Sequence, residues 1–169
     1  MTTTDAGYAT YIAGLPRVLA AAACLFRDAQ GRVLLVEPNY REGWALPGGT
    51  VESETGEGPR QAARRETAEE IGLDLAPGRL LAVDWARGEG RPPIVAYLYD
   101  GGVLAPEQFA AIRLQEEELL SWELVAPADL GGRLLSPLER RVRAALDALE
   151  PGGGGTVELE DGRRVVQGG

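Results

Sequence analysis

Hydrophobic residues occur along the chain in short runs that are separated by turns rich in glycine and proline, a pattern typical of β-strands. The first two runs flank Asp28 and Gly31, and the turn residues between them predict a β-hairpin. Later runs predict further strands, and the predicted strands cover residues 18–26, 32–36, 80–85, 94–99 and 122–125.

Two longer segments carry the signals of helix ends. Pro59 suits the first turn of a helix and Gly72 suits the position just beyond its end, so a helix is predicted over residues 59–71. The segment Ser136-Pro137-Leu138-Glu139 matches a capping box with Ser136 as the N-cap, which predicts a second helix reaching residue 149.

The two ends of the chain differ from the middle. Residues 1–16 predict a flexible N-terminal arm, residues 17–150 one domain, and residues 151–169 a glycine-rich linker with a hairpin-like tail centred on Asp161 and Gly162. An isolated hairpin is marginally stable in water. We therefore expect the tail either to be disordered or to pair with an exposed sheet edge. That edge would belong to its own domain or to a second copy of the chain, and in the second case the protein would be a homodimer. The tail holds no candidate catalytic residue, so hydrolysis is expected to survive its removal.

Composition narrows the possible chemistry. The 169 residues are 44% hydrophobic, as in ordinary globular proteins, with one cysteine, Cys24, and no histidine. Internal disulfides, cysteine-built metal sites, histidine ligands and histidine general bases are therefore excluded. Carboxylates, arginines, hydroxyls and a metal ion bound by oxygen remain.

The net charge of −9 disfavours a nucleic-acid polymer or an anionic membrane as the partner. The longest apolar run has nine residues, whereas a transmembrane helix needs about 20. A small molecule is therefore the expected partner and the cytoplasm the expected location.

The most informative segment is an acidic helix face. Glu66, Glu69 and Glu70 are spaced i, i+3 and i+4, which places their carboxylates on one face of the predicted helix. Like charges at this spacing repel by about 0.2–0.5 kcal/mol per exposed pair, and a bound cation reverses the sign. A solvated acidic face is the ordinary interpretation of such a helix, but Gly48 and Gly49 upstream favour a site. Oxygen ligands favour Mg²⁺ or Mn²⁺.

These residues lie in a longer pattern. The segment from Gly49 to Leu73 resembles the signature of the Nudix hydrolases, the MutT-like pyrophosphohydrolases, Gly-x5-Glu-x7-Arg-Glu-U-x-Glu-Glu-x-Gly-U with U a bulky apolar residue. Residues 65–73 supply the second half, seven residues separate Glu57 from Arg65 as the signature requires, and residues 44–52 match the usual approach. The resemblance covers residues 17–149.

The chain departs from this signature at two places. Seven residues rather than five separate Gly49 from Glu57, so the loop carries two extra residues and Glu54 is a rival for the role of Glu57. Thr67 stands where the family has an apolar side chain, and its hydroxyl is free to bond a carbonyl one turn back.

The resemblance implies an α/β/α sandwich on a mixed central β-sheet and hydrolysis of a diphosphate that is linked to another group, X. It also implies that Mg²⁺ or Mn²⁺ is held by Glu66, Glu69, Glu70 and the backbone carbonyl of Gly48. Only glycine allows such a close backbone approach.

The resemblance implies further roles at the same site. Arg65 would orient Glu66 through a charge-assisted hydrogen bond, and Glu57 would brace the loop. The general base would be Glu66 itself or an acidic residue of a later loop, where the sequence places three glutamates: Glu116, Glu117 and Glu118.

A non-hydrolytic Nudix-fold module that binds a nucleotide or a sugar nucleotide is the alternative function. The complete set of acidic residues on the helix favours hydrolysis, because a sensor needs few metal ligands. The substrate is not indicated by the sequence. Arg87, Arg91, Tyr97 and Tyr99 are candidate substrate contacts, yet loop solvation or sheet packing explains each of them equally well.

Overall fold

A computed structural model describes the backbone of residues 3–165 and the side chains of residues 6–165. The helices are α1 (Thr3–Ala13), α2 (Pro59–Ile71), α3 (Pro106–Ala110) and α4 (Ser136–Leu149). The strands are β1 (Leu19–Arg27), β2 (Val33–Pro38), β3 (Gly48–Thr50), β4 (Leu80–Ala86), β5 (Ile94–Val103), β6 (Leu119–Val125), β7 (Val157–Glu160) and β8 (Arg163–Arg164).

The strands form one sheet in the order β6-β2-β1-β5-β4-β7-β8. Strand β3 shares one edge of β1 with β2: it pairs through Gly48–Thr50, whereas β2 pairs at Arg27. The pairs β1–β5 and β4–β7 are parallel and the others are antiparallel. The sheet is therefore mixed, as the sequence analysis expected.

Helices cover both faces of this sheet. Because neighbouring residues of a strand point to opposite faces, Cys24 packs in the cluster with Ile71 of α2, and Leu25 packs in the cluster with Val142 of α4. The molecule is an α/β/α sandwich, which confirms the predicted fold class.

Helix α2 begins and ends as predicted. Pro59 lies at its first position, and Gly72 follows its last residue with a φ of 73°. The Thr67 hydroxyl donates to the Ala63 carbonyl at 2.7 Å, so the polar residue in this buried position has a partner one turn back.

The capping box predicted at Ser136 is wrong. Leu135 is the N-cap, Ser136 is already helical, and no side chain caps the helix end. The reason is competition from arginines one turn later: the Ser136 hydroxyl bonds Arg140, and Glu139 pairs with Arg143 at 2.9 Å.

The N-terminal segment holds a helix that the sequence analysis did not predict. Helix α1 lies within the residues taken as an arm, with Tyr8 and Tyr11 exposed. The division of the chain at residues 16 and 150 stays a prediction.

The C-terminal tail joins the sheet of its own domain. Strand β7 runs parallel to β4, with Ala82 opposite Val157, and turns through Asp161 and Gly162 into β8. Of the predicted hairpin over 157–166, only its last residue lies outside the described residues. Among the described helices, none has the length and hydrophobicity needed to cross a membrane.

Candidate active site

Helix α2 lies against the sheet through small side chains and presents its acidic face to strand β3. Ala62 and Ala63 are fully buried, so the helix approaches β1 closely. This approach brings the carboxylates of Glu66 and Glu70 to the backbone of the two glycines of β3.

Glu70 is held by the first of these glycines. The Gly48 N–H donates to Glu70 Oε2 at 2.7 Å, and only 4% of Glu70 is exposed. Burial raises the pKa of Glu70 to about 8, although the bond from Gly48 opposes this. The nearby charges of Glu66 and Glu118 raise the same pKa further, and Arg41 lowers it. A cation bound beside Glu70 would lower this pKa and favour the charged carboxylate.

Gly48 itself has no room for a side chain. Its φ is 153°, and a Cβ there would lie 2.4 Å from the carbonyl oxygen of Ala22 and 2.5 Å from the Cα of Ala23. The position therefore requires glycine for both conformation and space.

Glu66 lies directly against the second glycine. A Cβ on Gly49 would be 2.5 Å from the Glu66 carboxylate carbon, so the absent side chain leaves the space that the carboxylate occupies. Burial raises the pKa of Glu66, and its hydrogen bond with Arg65 lowers it.

Arg65 connects the acidic helix to the preceding loop. Its guanidinium donates twice to Glu57, from Nε at 2.8 Å and from Nη2 at 3.0 Å. It also donates to Glu66 Oε1 at 2.9 Å, to Glu69 Oε2 at 3.0 Å and to the Thr50 carbonyl at 3.0 Å. One arginine therefore fixes the loop and two of the three helix carboxylates.

The loop with the two extra residues brings Glu57 to Arg65. Residues Ser53–Thr55 form one turn of 3-10 helix, and Gly56 follows with a φ of 84°. Glu57 then reaches Arg65 and accepts the Glu52 N–H at 2.9 Å. The hydrogen bonds from Arg65 hold the pKa of Glu57 below its usual value.

The helix carboxylates do not all converge. Within residues 3–165, no three acidic or cysteine side chains form a group arranged to hold a metal ion. Glu69 is half exposed and bonded to Arg65, while Glu66 and Glu70 face the glycines of β3. The donor set contains only oxygen atoms, and the charges of Glu66 and Glu70 repel each other, so these residues fit a hard cation such as Mg²⁺ or Mn²⁺.

The acidic loop before β6 contributes one glutamate to this region. Glu116, Glu117 and Glu118 are all exposed. Of the three, Glu118 is the residue whose charge raises the pKa values of Glu66 and Glu70. The backbone N–H of Asn39 donates to the Glu118 carbonyl at 2.8 Å, which ties this loop to the end of β2.

A cleft of about 320 Å³ opens beside Glu70 and the glycines of β3. Its walls are largely small or apolar, and polar side chains lie at its edges. The lining residues are Ala21, Ala22, Ala23, Tyr40, Arg41, Ala45, Leu46, Gly48, Gly49, Thr50, Glu70, Ile94, Ala96, Tyr97, Leu98, Leu138 and Arg141.

The fold, the acidic helix and the glycine pair together match a known family. The model of the NUDIX domain matches residues 16–149 of this chain. The chain belongs to the Nudix family. The resemblance inferred from the sequence is thereby confirmed.

Two curated proteins share part of this Nudix domain. YjhB of Bacillus subtilis, named as a candidate ADP-ribose pyrophosphatase, is 39% identical over 75 residues, which are 44% of this chain and 34% of that protein. Diphosphoinositol polyphosphate phosphohydrolase 2 of Rattus norvegicus is 43% identical over 65 residues, which are 38% of this chain and 35% of that protein. The chain spans about a third of the length of these relatives.

A solved structure shows the same fold over more of the chain. An ADP-ribose pyrophosphatase from Streptococcus suis superposes with a TM-score of 0.64 at 19% identity. The superposition covers 85% of this chain and 99% of the other.

One of the four candidate substrate contacts lines the cleft of the Nudix domain, and the other three have partners elsewhere. Tyr97 lines it. Arg87 instead binds Glu160 and Asp161 of the tail, Arg91 bonds backbone carbonyls of its own loop, and the Tyr99 ring lies beneath the guanidinium of Arg60.

Sequence reasoning missed two arginines of the cleft. Arg41 lies in an irregular loop, and no motif or residue spacing in the sequence marks it as part of a site. Arg141 does carry one, because it interrupts the apolar stripe of α4 formed by Leu138, Val142 and Ala145.

Proposed function

We propose that this chain hydrolyses a diphosphate bond in a nucleoside diphosphate linked to another group, with Mg²⁺ or Mn²⁺ as its cofactor. The observation that carries the proposal is the placement of the Glu66 and Glu70 carboxylates against Gly49 and Gly48 at the edge of the cleft. Family membership supports it, as do the names of the two partial relatives.

Glu66 and Glu70 would hold the ion, together with Glu69 and the carbonyl of Gly48. A bound ion would neutralise the phosphate charge and favour deprotonation of the attacking water. Arg65 keeps Glu66 and Glu69 oriented before the substrate arrives, because its remaining donors are fixed on Glu57 and Thr50. Such preorganisation spares the carboxylates a rearrangement during the reaction.

Glu118 is our choice for the general base among the loop glutamates. Among the three loop glutamates, Glu118 is the one whose charge raises the pKa values of both Glu66 and Glu70. A general base contributes about 10²–10⁴-fold to the rate. Glu118→Gln should therefore lower kcat by at least tenfold at saturating Mg²⁺, whereas the matched change Glu116→Gln should leave it within threefold. A kcat of Glu118→Gln within threefold of the parent value would rule out Glu118 as the base and favour Glu66.

A panel of diphosphate compounds tests the proposed function. The panel contains ADP-ribose, UDP-glucose, NADH, a dinucleoside polyphosphate and a diphosphoinositol polyphosphate, and hydrolysis is followed by chromatographic separation of the substrate from its phosphorylated products. We expect at least one compound to be hydrolysed with Mg²⁺ and none with EDTA. Tight binding of a nucleotide sugar without hydrolysis would instead support the non-hydrolytic module.

A further inference from the structure

Helix α4 supplies a cation to the same cleft that Glu70 of α2 lines. Arg141 lines the cleft beside Leu138 and is mostly buried, with 16% of its side chain exposed. Its Nε and Nη2 atoms both lie 2.8 Å from Asp84 Oδ2. Across residues 3–165, no acceptor is found for its third nitrogen, Nη1.

Asp84 also binds the C-terminal tail. This carboxylate of β4 is fully buried, and both of its oxygens lie 3.1 Å from the Gly162 backbone nitrogen, whose N–H they accept. Gly162 has a φ of 76°, and a Cβ there would lie 2.4 Å from the Pro137 carbonyl of α4. The hairpin turn is therefore fitted closely to β4 and α4 at the position where Asp84 holds Arg141.

The charges of Asp84 and Arg141 compensate each other. Asp84 neutralises Arg141, so the guanidinium offers a hydrogen-bond donor rather than a free positive charge. The cleft walls include Ala23, Ala96 and Leu98, whose side chains are uncharged and apolar. A neutral group with an oxygen acceptor fits such an environment better than a second phosphate does.

We propose that Arg141 is a substrate-binding residue whose Nη1 donates to a neutral oxygen of the substrate beyond its diphosphate. Asp84 and Gly162 are positioning residues, and through them the C-terminal hairpin contributes to substrate affinity. The inference rests on the proposed function, because it takes the diphosphate to lie at the Glu70 end of the same cleft. The oxygen belongs either to a nucleobase carbonyl or to a sugar hydroxyl.

This network changes the expectation for the tail. The sequence analysis expected hydrolysis to survive removal of residues 151–169, since the tail holds no motif residue. The contact of Gly162 with Asp84 predicts instead that removal weakens substrate binding while kcat is retained.

The test measures binding separately from hydrolysis. Calorimetry with Mg²⁺ gives the Kd of the α,β-methylene analogues of ADP-ribose and IDP-ribose, which differ in a single base substituent and carry a bridge that water does not cleave. Arg141→Met should raise Kd by at least tenfold for the IDP-ribose analogue alone or for both analogues. The same change at Arg143, which lies on α4 but pairs with Glu139 outside the cleft, should leave Kd within twofold.

The two ligands distinguish the two sources of the oxygen. A loss confined to the IDP-ribose analogue assigns the base carbonyl, and an equal loss for both assigns the sugar. Asp84→Asn should also weaken binding, and the double variant should bind no more weakly than Arg141→Met alone, because Asp84 acts through Arg141. An unchanged Kd for Arg141→Met, additive losses in the double variant, or no binding of either analogue by the parent protein would overturn the proposal.

Discussion

Replacing Gly49 by alanine should separate catalysis from stability. The new Cβ would lie 2.5 Å from the carboxylate carbon of Glu66, whereas ordinary van der Waals contact begins at 3.4 Å. The atoms in conflict belong to the end of a flexible side chain, so Glu66 can swing away without a shift of the backbone. We therefore expect the fold to accept the substitution.

The displacement needed is about 1 Å, the difference between these two distances, and a misplacement of this size can cost about 10²-fold in rate. The loss of stability should be small, because only the hydrogen bond between Arg65 and Glu66 is at risk and Arg65 keeps both bonds to Glu57. Partly exposed ion pairs contribute less than about 1 kcal/mol, equivalent to a Tm change of about 2–4 °C in a chain of this size.

The neighbouring glycine provides the control. A Cβ on Gly48 would meet backbone atoms of Ala22 and Ala23, which cannot move aside independently. Gly48→Ala should therefore destabilise the protein by about 1–3 kcal/mol, the usual range for overpacking.

The assay compares initial rates of diphosphate hydrolysis with Mg²⁺ and Tm values from circular dichroism for the parent and both variants. Full activity of Gly49→Ala would refute the reasoning, since the position of the Glu66 carboxylate would then not matter. A Tm loss for Gly49→Ala as large as that for Gly48→Ala would show that the Glu66 side chain cannot yield.

Two further predictions concern a buried turn and the loop register. Asp28 accepts N–H groups from Gln30 and Arg32 at 3.0 and 2.8 Å, and although burial opposes them, these bonds and the Arg32 side chain lower its pKa. A lowered pKa in the folded state adds stability above the unfolded pKa of about 4, and this stability is lost as pH falls. Asp28→Asn should thus cost about 1 kcal/mol in urea unfolding at pH 7 and less at pH 3, and an equal cost at both would contradict the assignment. Glu57→Gln should lower hydrolysis more than Glu54→Gln does; the reverse order would mean that Glu54 is the motif residue.

The parts of the fold that the sequence predicted depend on local signals. Helix α2 has Pro59 and Gly72 at its ends, and β1, β2 and β4 are apolar runs, so these elements were predicted to within one or two residues of their observed bounds. Strands β5 and β6 extend further than predicted, β5 at its end and β6 at its start. Strand β3 was missed because Gly48-Gly49-Thr50 has almost no strand propensity, and pairing with β1 alone makes it extended. The N-cap of α4 was misassigned because Arg140 takes the Ser136 hydroxyl, a competition that propensity does not reveal.

The candidate site likewise contains residues that a local sequence pattern predicts and residues that no local pattern predicts. The acidic residues of α2 follow from helical spacing and from the resemblance, since all of them lie within one short segment. Asp84 is 57 positions from Arg141 and 78 positions from Gly162. No local pattern relates these three, so only the parallel pairing of β7 with β4 reveals their contact.

The most direct test of the central claim is the rate of diphosphate hydrolysis as a function of Mg²⁺ concentration for the parent protein and Glu70→Gln. If the buried helix carboxylates hold the ion, the parent is inactive in EDTA and its rate rises to saturation with Mg²⁺. Glu70→Gln then stays at least 10²-fold slower at every Mg²⁺ concentration while remaining folded. Hydrolysis by the parent in EDTA, or a variant as fast as the parent, would contradict the account.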